Sequence, residues 1–308
     1  DLHKEYRRQR QMCIRDRYMT GRYRIAKGDF KGGLSAFEKA VKQDPQQVAI
    51  YREMLQVALR LNRVDDAVRY AQKAVSLNPD DYQLLRWLSR QMIRQQKLPQ
   101  AIKLLEQARR SKAIDHKSVV FVNVMRDLGL IYMGTGKAKA AAECFEVVFA
   151  ALKDPRGYQL DDRSRRALLA NPVTSFERMG EVFLAAKRNR LAVEAFRAAA
   201  KQGQGNPATL GINIARVHVE TGKFQEALSE LQIYFDKKQA SKGRAAYRLL
   251  ARILKGLKKS GELVGQLEKL AAHDSENPSL KIFLADQYVA AGKFEKARPL
   301  FELSLIHI

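Results

Sequence analysis

The chain has 308 residues, with 56 Lys and Arg against 33 Asp and Glu, a formal charge of +23. Hydrophobic residues make up 46% of it, enough for a packed core and too many for a disordered or collagen-like chain. Two Cys exclude a disulfide scaffold, and no apolar run approaches the roughly 18 residues that a membrane span requires.

The two ends read as foreign. Arg7 to Arg17 (RRQRQMCIRDR) back-translates into DNA that resembles the adapter of a transposase-based sequencing library, and Asp1 to Tyr6 (DLHKEY) into its index end. Leu303 to Ile308 (LSLIHI) matches the reverse complement of the transposase recognition sequence. Residues 1–17 and 303–308 are therefore expected to be adapter-derived and are set aside from fold reasoning. Removing the six basic and three acidic residues of the first stretch leaves 50 and 30, a net +20, with Cys144 as the sole thiol. The natural termini are then missing, so localisation is open, with the bacterial cytoplasm as the default expectation.

Between these ends the chain repeats. Pro45 and Pro79 lie 34 residues apart, as do Ala40, Ala74 and Ala108, and Gly33, Ala67 and Ala101. A fixed period near 34 residues, built from two amphipathic patterns, predicts an all-α array of helix pairs. Units are expected at 18–46, 47–80, 81–114 and 115–153. A polar insertion follows over 154–172, with a short helix near Arg163 to Ala170, and further units at 173–205, 207–239, 245–276 and 278–302. Asn78-Pro79, Asn206-Pro207 and Asn277-Pro278 fall between units, where proline ends one helix or opens the next. Gly28 aligns with Gly136, Gly222 and Gly292, so GDFKGG is a repeat turn and not a phosphate loop. The seventh unit departs from the pattern, with Gln266 and His273 where small residues are expected.

The fourth unit reads LGLIYMGTGKAKAAAECF, through Leu128, Gly129, Tyr132, Gly136, Ala141 and Phe145. The same spacings return in LADQYVAAGKFEKARPLF, through Leu284, Ala285, Tyr288, Gly292, Ala297 and Phe301. In these residues the chain resembles the tetratricopeptide repeat family. The resemblance implies a right-handed superhelical solenoid of about eight helix-turn-helix repeats, four in 18–153 and four in 173–302. Small residues would let paired helices approach, and the first helix of each pair would line a concave groove.

No constellation for chemistry stands out. Cys144 reads as a small buried hydrophobe, and His116 and His273 have no partner at ligand spacing. His218 stands where Tyr132 and Tyr288 stand in their repeats, as a packing residue. Asp65-Asp66 and Asp161-Asp162 read as helix-start acids. No enzyme activity, cofactor, metal or small-molecule substrate is expected.

Charge is the more informative signal. Carried onto this chain, the family's groove positions are Arg22, then Arg52, Gln56 and Arg60, then Arg86, Arg90 and Arg94, then Asn123 and Arg126. In the later repeats they are Arg178, Asn213, Arg216, Arg248, Arg252 and Lys255. Residues four apart share a helix face, and guanidiniums bind carboxylates and phosphates through paired hydrogen bonds. The expected function is a noncatalytic protein–protein interaction scaffold that binds an acidic peptide or protein segment. Trp87, beside Arg86, is the candidate anchor, with packing against the neighbouring unit as its other reading. Asn213, Arg248 and Arg252 fall where half of a chaperone-tail carboxylate clamp would lie. Glu177 and Glu181 take the places of the other half and would repel a carboxylate. The alternatives are a nucleic-acid-binding helical-repeat protein, whose binding would fall steeply with salt, and a regulatory or adaptor region of a larger enzyme or secretion or assembly complex.

Overall fold

The helices come in pairs. The structure is a computed structural model that describes residues 2–202, 206–237 and 243–305, with side chains between residues 12 and 302 of those ranges apart from Pro207. The first three pairs are α1 (Leu2–Ala26) with α2 (Phe30–Gln43), α3 (Val48–Arg60) with α4 (Val64–Leu77), and α5 (Tyr82–Arg94) with α6 (Leu98–Arg110). Next come α7 (Val119–Gly134), α8 (Ala138–Lys153) and a short α9 (Asp162–Leu168) in the insertion. The remaining pairs are α10 (Pro172–Ala185) with α11 (Asn189–Ala200), α12 (Pro207–Glu220) with α13 (Phe224–Asp236), α14 (Ala245–Gly256) with α15 (Leu263–His273), and α16 (Pro278–Ala290) with α17 (Phe294–Leu305). Residues 2–17, the adapter-like stretch, continue the first helix without a break, and Ile14 is buried.

Every pair turns on one left-handed residue. Gly28, Asn62, Gln96, Gly136, Lys187, Gly222, Lys258 and Gly292 all have φ between 56° and 85°. The N–H one residue later returns to the carbonyl five residues before it: Arg63 to Ala58 at 2.8 Å, Arg188 to Phe183 at 2.7 Å and Lys293 to Tyr288 at 2.8 Å. This is the Schellman closure, which satisfies carbonyls that a helix end would leave bare. First helices start on side-chain caps: Asp81 accepts from Leu84 N, Ser118 from Phe121 N, Asn171 from Thr174 N and Asn277 from Leu280 N. Proline opens α10, α12 and α16, where its missing N–H costs nothing.

Small residues set the approach of paired helices. A Cβ on Gly21 would lie 2.5 Å from the Phe37 ring, and one on Gly180 would lie 2.5 Å from the Phe196 ring. Both rings are almost wholly buried, a gain of about 1.5–3 kcal/mol each relative to exposure. The periodic alanines Ala40, Ala67, Ala74, Ala101 and Ala108 are fully buried, as is Cys144.

The chain divides into two compact units, Asp1–Thr135 with Ala150–Ser164, and Gly136–Phe149 with Arg165–Ile308. In the first, the start of the insertion is tied to the loop before α7. Gln159 Nε2 donates to Asp115 at 3.0 Å, and Lys117 Nζ lies 4.1 Å from the centroid of the Tyr158 ring. In the second, Tyr234, Phe235, Tyr247 and Phe283 form a run of ring contacts with centroids 5.7–5.9 Å apart. The seventh pair is the loosest. Its connection is longer, with a 3-10 turn at Ser260–Glu262, and α15 buries only Leu267. Gln266 and His273 project where small residues would let helices close, and they line a cleft of about 460 Å³ together with Gln232 and Phe235 of α13.

Candidate peptide-binding face

In the first unit the predicted residues lie on α3, α5 and α7. Arg52 of α3 reaches Asp81, the buried cap of α5, with Nε 3.0 Å from Oδ2, so one carboxylate both starts a helix and holds a cation. Beside this pair a cleft of about 470 Å³ opens between α3 and α5, lined by Arg52, Glu53, Gln56, Asp81, Gln83 and Trp87. Trp87 is half-buried and walls the cleft.

The other side of α5 faces α7. Arg86 Nε lies 3.4 Å from Asp127 Oδ2, and Arg126 Nη2 lies 2.8 Å from Oδ1 of the same buried carboxylate. The geometry leaves Arg86 Nε and Asp127 Oδ2 without a hydrogen bond. Burial lowers the Arg86 pKa, opposed by the charge of Asp127 and reinforced by Arg90 and Arg126. Arg90 is exposed and forms no ion pair among the described residues. The other predicted positions have local roles. Arg60 lies over the Phe30 ring at 5.4 Å and Arg22 over Tyr18 at 5.9 Å. Arg94 Nη1 is 3.5 Å from Gln91 Oε1, and Asn123 Nδ2 donates to Val119 O at 2.9 Å.

In the second unit a cleft of about 390 Å³ between α12 and α14 is lined by Asn213, Arg216, Arg248, Arg252 and Leu249. Arg216 holds both carboxylate oxygens of Glu181, with Nη2 to Oε2 at 2.7 Å, and Asn213 Oδ1 lies 3.5 Å from Arg216 Nη1. Hydrogen bonds to Glu181, then its charge, raise the Arg216 pKa against the effect of burial. Arg252 pairs with Glu220 at 2.9 Å. Arg248, Lys255 and Arg178 are exposed and form no ion pair among the described residues. One sequence expectation is corrected here: Glu181 does not stand as a free acid repelling carboxylates, because Arg216 neutralises it from the next pair.

The residues that sequence reasoning passed over are the acids. Asp81 was detectable as an Asp preceding an apolar helical run, a cap signature. Asp127 carried no such mark, since its role depends on Arg86 approaching from another helix. Among the described residues no group of three His, Cys, Asp or Glu side chains could hold a metal, and no helix is long and apolar enough to cross a membrane.

The sequence model of the tetratricopeptide repeat family matches residues 18–82 and again 52–113. Residues 18–113 carry tetratricopeptide repeats. An array of such repeats is an all-α solenoid and a protein–protein interaction scaffold, because stacked pairs expose a long continuous surface. Similar solved structures include MamA, 20% identical over 61% of this chain and 91% of that one, with a TM-score of 0.42. YrrB, described as a tetratricopeptide repeat protein with an unusual peptide-binding site, is 17% identical over 65% of this chain and 91% of its own, with a TM-score of 0.42. The repeat domain of P58(IPK) is 17% identical over 96% and 93%, with a TM-score of 0.30. No curated protein matches the sequence.

Proposed function

We propose that this tetratricopeptide repeat array is a noncatalytic scaffold that docks an acidic peptide segment on the first-helix face of its early repeats. The observation that carries this reading is the cleft between α3 and α5, where Arg52, Gln56 and Trp87 from two successive pairs share one concavity of about 470 Å³. Trp87 offers a half-buried aromatic wall for an apolar anchor, the usual centre of interface energy. Arg90, one helical turn along α5, offers a guanidinium with no carboxylate of its own. Charge-assisted contacts there would fix register and speed encounter, while the anchor would set residence time.

The test is titration of a labelled hepta-glutamate peptide with a tryptophan at one end, and of a labelled single-stranded oligonucleotide, at low and high salt. Trp87→Ala and Arg90→Glu should each weaken the peptide about tenfold, the equivalent of about 1.4 kcal/mol. Peptide affinity unchanged in both variants would place the site elsewhere. Binding only to the oligonucleotide, with a steep salt slope, would make the +23 charge a field for nucleic acid instead.

A further inference from the structure

Glu53 and Trp87 hold the same place in successive repeats, nine residues before the left-handed Asn62 and Gln96, and both line the α3–α5 cleft. In the next repeat that place belongs to Asp127, which is flanked by Arg86 and Arg126. Glu53 receives neither kind of partner. Tyr18 stands where Arg86 stands for Asp127, and its ring stacks on Phe37 with centroids 5.7 Å apart. Arg52, next to Glu53 in the chain, turns instead to Asp81. Glu53 is thus a half-buried carboxylate with no ion pair or hydrogen bond among the described residues.

The sign of the cleft follows. Arg52 is offset by Asp81, whose other oxygen accepts from Leu84 N, and apart from Glu53 the remaining lining residues are uncharged. One cation against two carboxylates leaves the concavity negative in a chain of +23. Its aromatic wall suits the same kind of ligand, because an indole face attracts cations more strongly than any other side-chain ring. No cation of the chain lies over the Trp87 ring and no other ring stacks on it, among the described residues. Gln56 and Gln83 add amide oxygens that can accept from an ammonium or guanidinium.

We propose that the cleft is a specificity pocket for one cationic side chain, a lysine or arginine of the docked segment, with its alkyl stem along Trp87 and its charged head at Glu53. The inference rests on the reading of this face as the peptide site and sharpens it: the partner carries a base among its acids. The base enters the cleft, and the acids beside it meet Arg90, one turn farther along α5. A segment of acids alone satisfies Arg90 and is repelled by Glu53, so the unpaired carboxylate selects against it.

The experiment compares two labelled peptides by fluorescence anisotropy on the full chain: hepta-glutamate ending in a lysine amide, and the same peptide ending in a norleucine amide. They share the alkyl stem and differ by one ammonium. A general positive field favours norleucine, which leaves the peptide more acidic, whereas the pocket favours lysine. The lysine peptide is expected to bind about tenfold tighter. Glu53→Gln should erase that preference with unchanged circular dichroism, since the carboxylate has no partner to lose. Trp87→Leu should reduce it, because leucine keeps an apolar wall and loses the ring face. Norleucine bound as tightly as lysine overturns the pocket and leaves the docking face standing. A preference that survives intact in Glu53→Gln overturns the pocket as well. If neither peptide binds, the docking face fails and the pocket fails with it.

Discussion

Arg216 on α12 closes on both carboxylate oxygens of Glu181, a residue one repeat earlier on α10. The pair is more than one-third exposed on both sides, so it adds little to stability, under about 1 kcal/mol, but it sets the charge of the face around it. Glu181→Gln should release the guanidinium and leave the hepta-glutamate affinity, set at the α3–α5 cleft, unchanged, with a melting shift of no more than a few degrees. Arg216→Ala should likewise leave the peptide affinity unchanged. Fluorescence anisotropy of the hepta-glutamate peptide reads both, and a change beyond about threefold in either variant would move the binding site to this face.

Asp127 is buried between Arg86 and Arg126. Asp127→Asn removes the charge that compensates two partly buried guanidiniums, so a loss of about 3 kcal/mol is expected. Urea unfolding should show a lower midpoint with an unchanged slope. A loss below about 0.5 kcal/mol would mean that Asp127 does not hold Arg86 and Arg126 in place.

Alkaline pH should loosen the array through its tyrosines. Burial, then the hydrogen bond that Tyr70 donates to Glu38 at 2.9 Å, push the Tyr70 pKa up from 10.0 to about 12. Burial, then a hydrogen bond to Glu268, push Tyr288 to about 12 as well. A folded pKa above the unfolded one means the folded state holds its proton more tightly. The stability contributed by these phenols is thus complete below pH 10 and is lost between pH 10 and about 12. Tyrosinate absorbance should rise late, and Tyr70→Phe should flatten the loss of stability over that window. A Tyr70→Phe variant with the wild-type alkaline profile would refute the assignment.

The left-handed turns contain three avoidable penalties. Gln96, Lys187 and Lys258 adopt φ near 60°, which costs an L residue roughly 1–2 kcal/mol, whereas glycine adopts it freely at an unfolded-state cost of roughly 0.5–1 kcal/mol. Each substitution to glycine should therefore stabilise by about 0.5 kcal/mol, visible as a small rise in the thermal midpoint. The same change at Asn62, a residue that tolerates this conformation, should gain less.

Two helical glycines should respond in opposite directions to alanine. A Cβ on Gly211 would lie 2.6 Å from the backbone carbonyl oxygen of Glu230, so Gly211→Ala forces α12 and α13 apart at about 1–3 kcal/mol. Gly265 in α15 has nothing within 4 Å of the same atom, and alanine there should gain up to about 1 kcal/mol. Paired thermal melts would show it, and equal responses would contradict the close approach at Gly211.

The helix pairs were legible because their determinants are local and periodic. Ala40, Ala74 and Ala108 are small wherever two helices touch, and a 34-residue step from Gly28 lands on Asn62 and another on Gln96, both left-handed. The residue types alone do not mark the Gln96 turn; the period does. Charge pairing was not legible in the same way. Arg52 finds Asp81 and Arg216 finds Glu181 across 29 and 35 residues, and a cation that reads as free in sequence proves neutralised once the neighbouring pair is stacked on it. Arg90 and Arg248 are indistinguishable from these by sequence, yet in the fold both are exposed without an ion pair among the described residues.

The three-residue connections that close the other helix pairs also bear on how the chain folds. Each hairpin can form from residues close in sequence and then recruit its neighbour, so nucleation is available at many points and the search is fast for a protein of this length. The connection before α15 is longer, and that helix contributes one fully buried side chain, Leu267. In an array whose stability is a sum over neighbouring contacts, α15 then opens more easily than the paired helices on either side of it, α13 and α16, and its amide protons are expected to exchange with solvent before theirs.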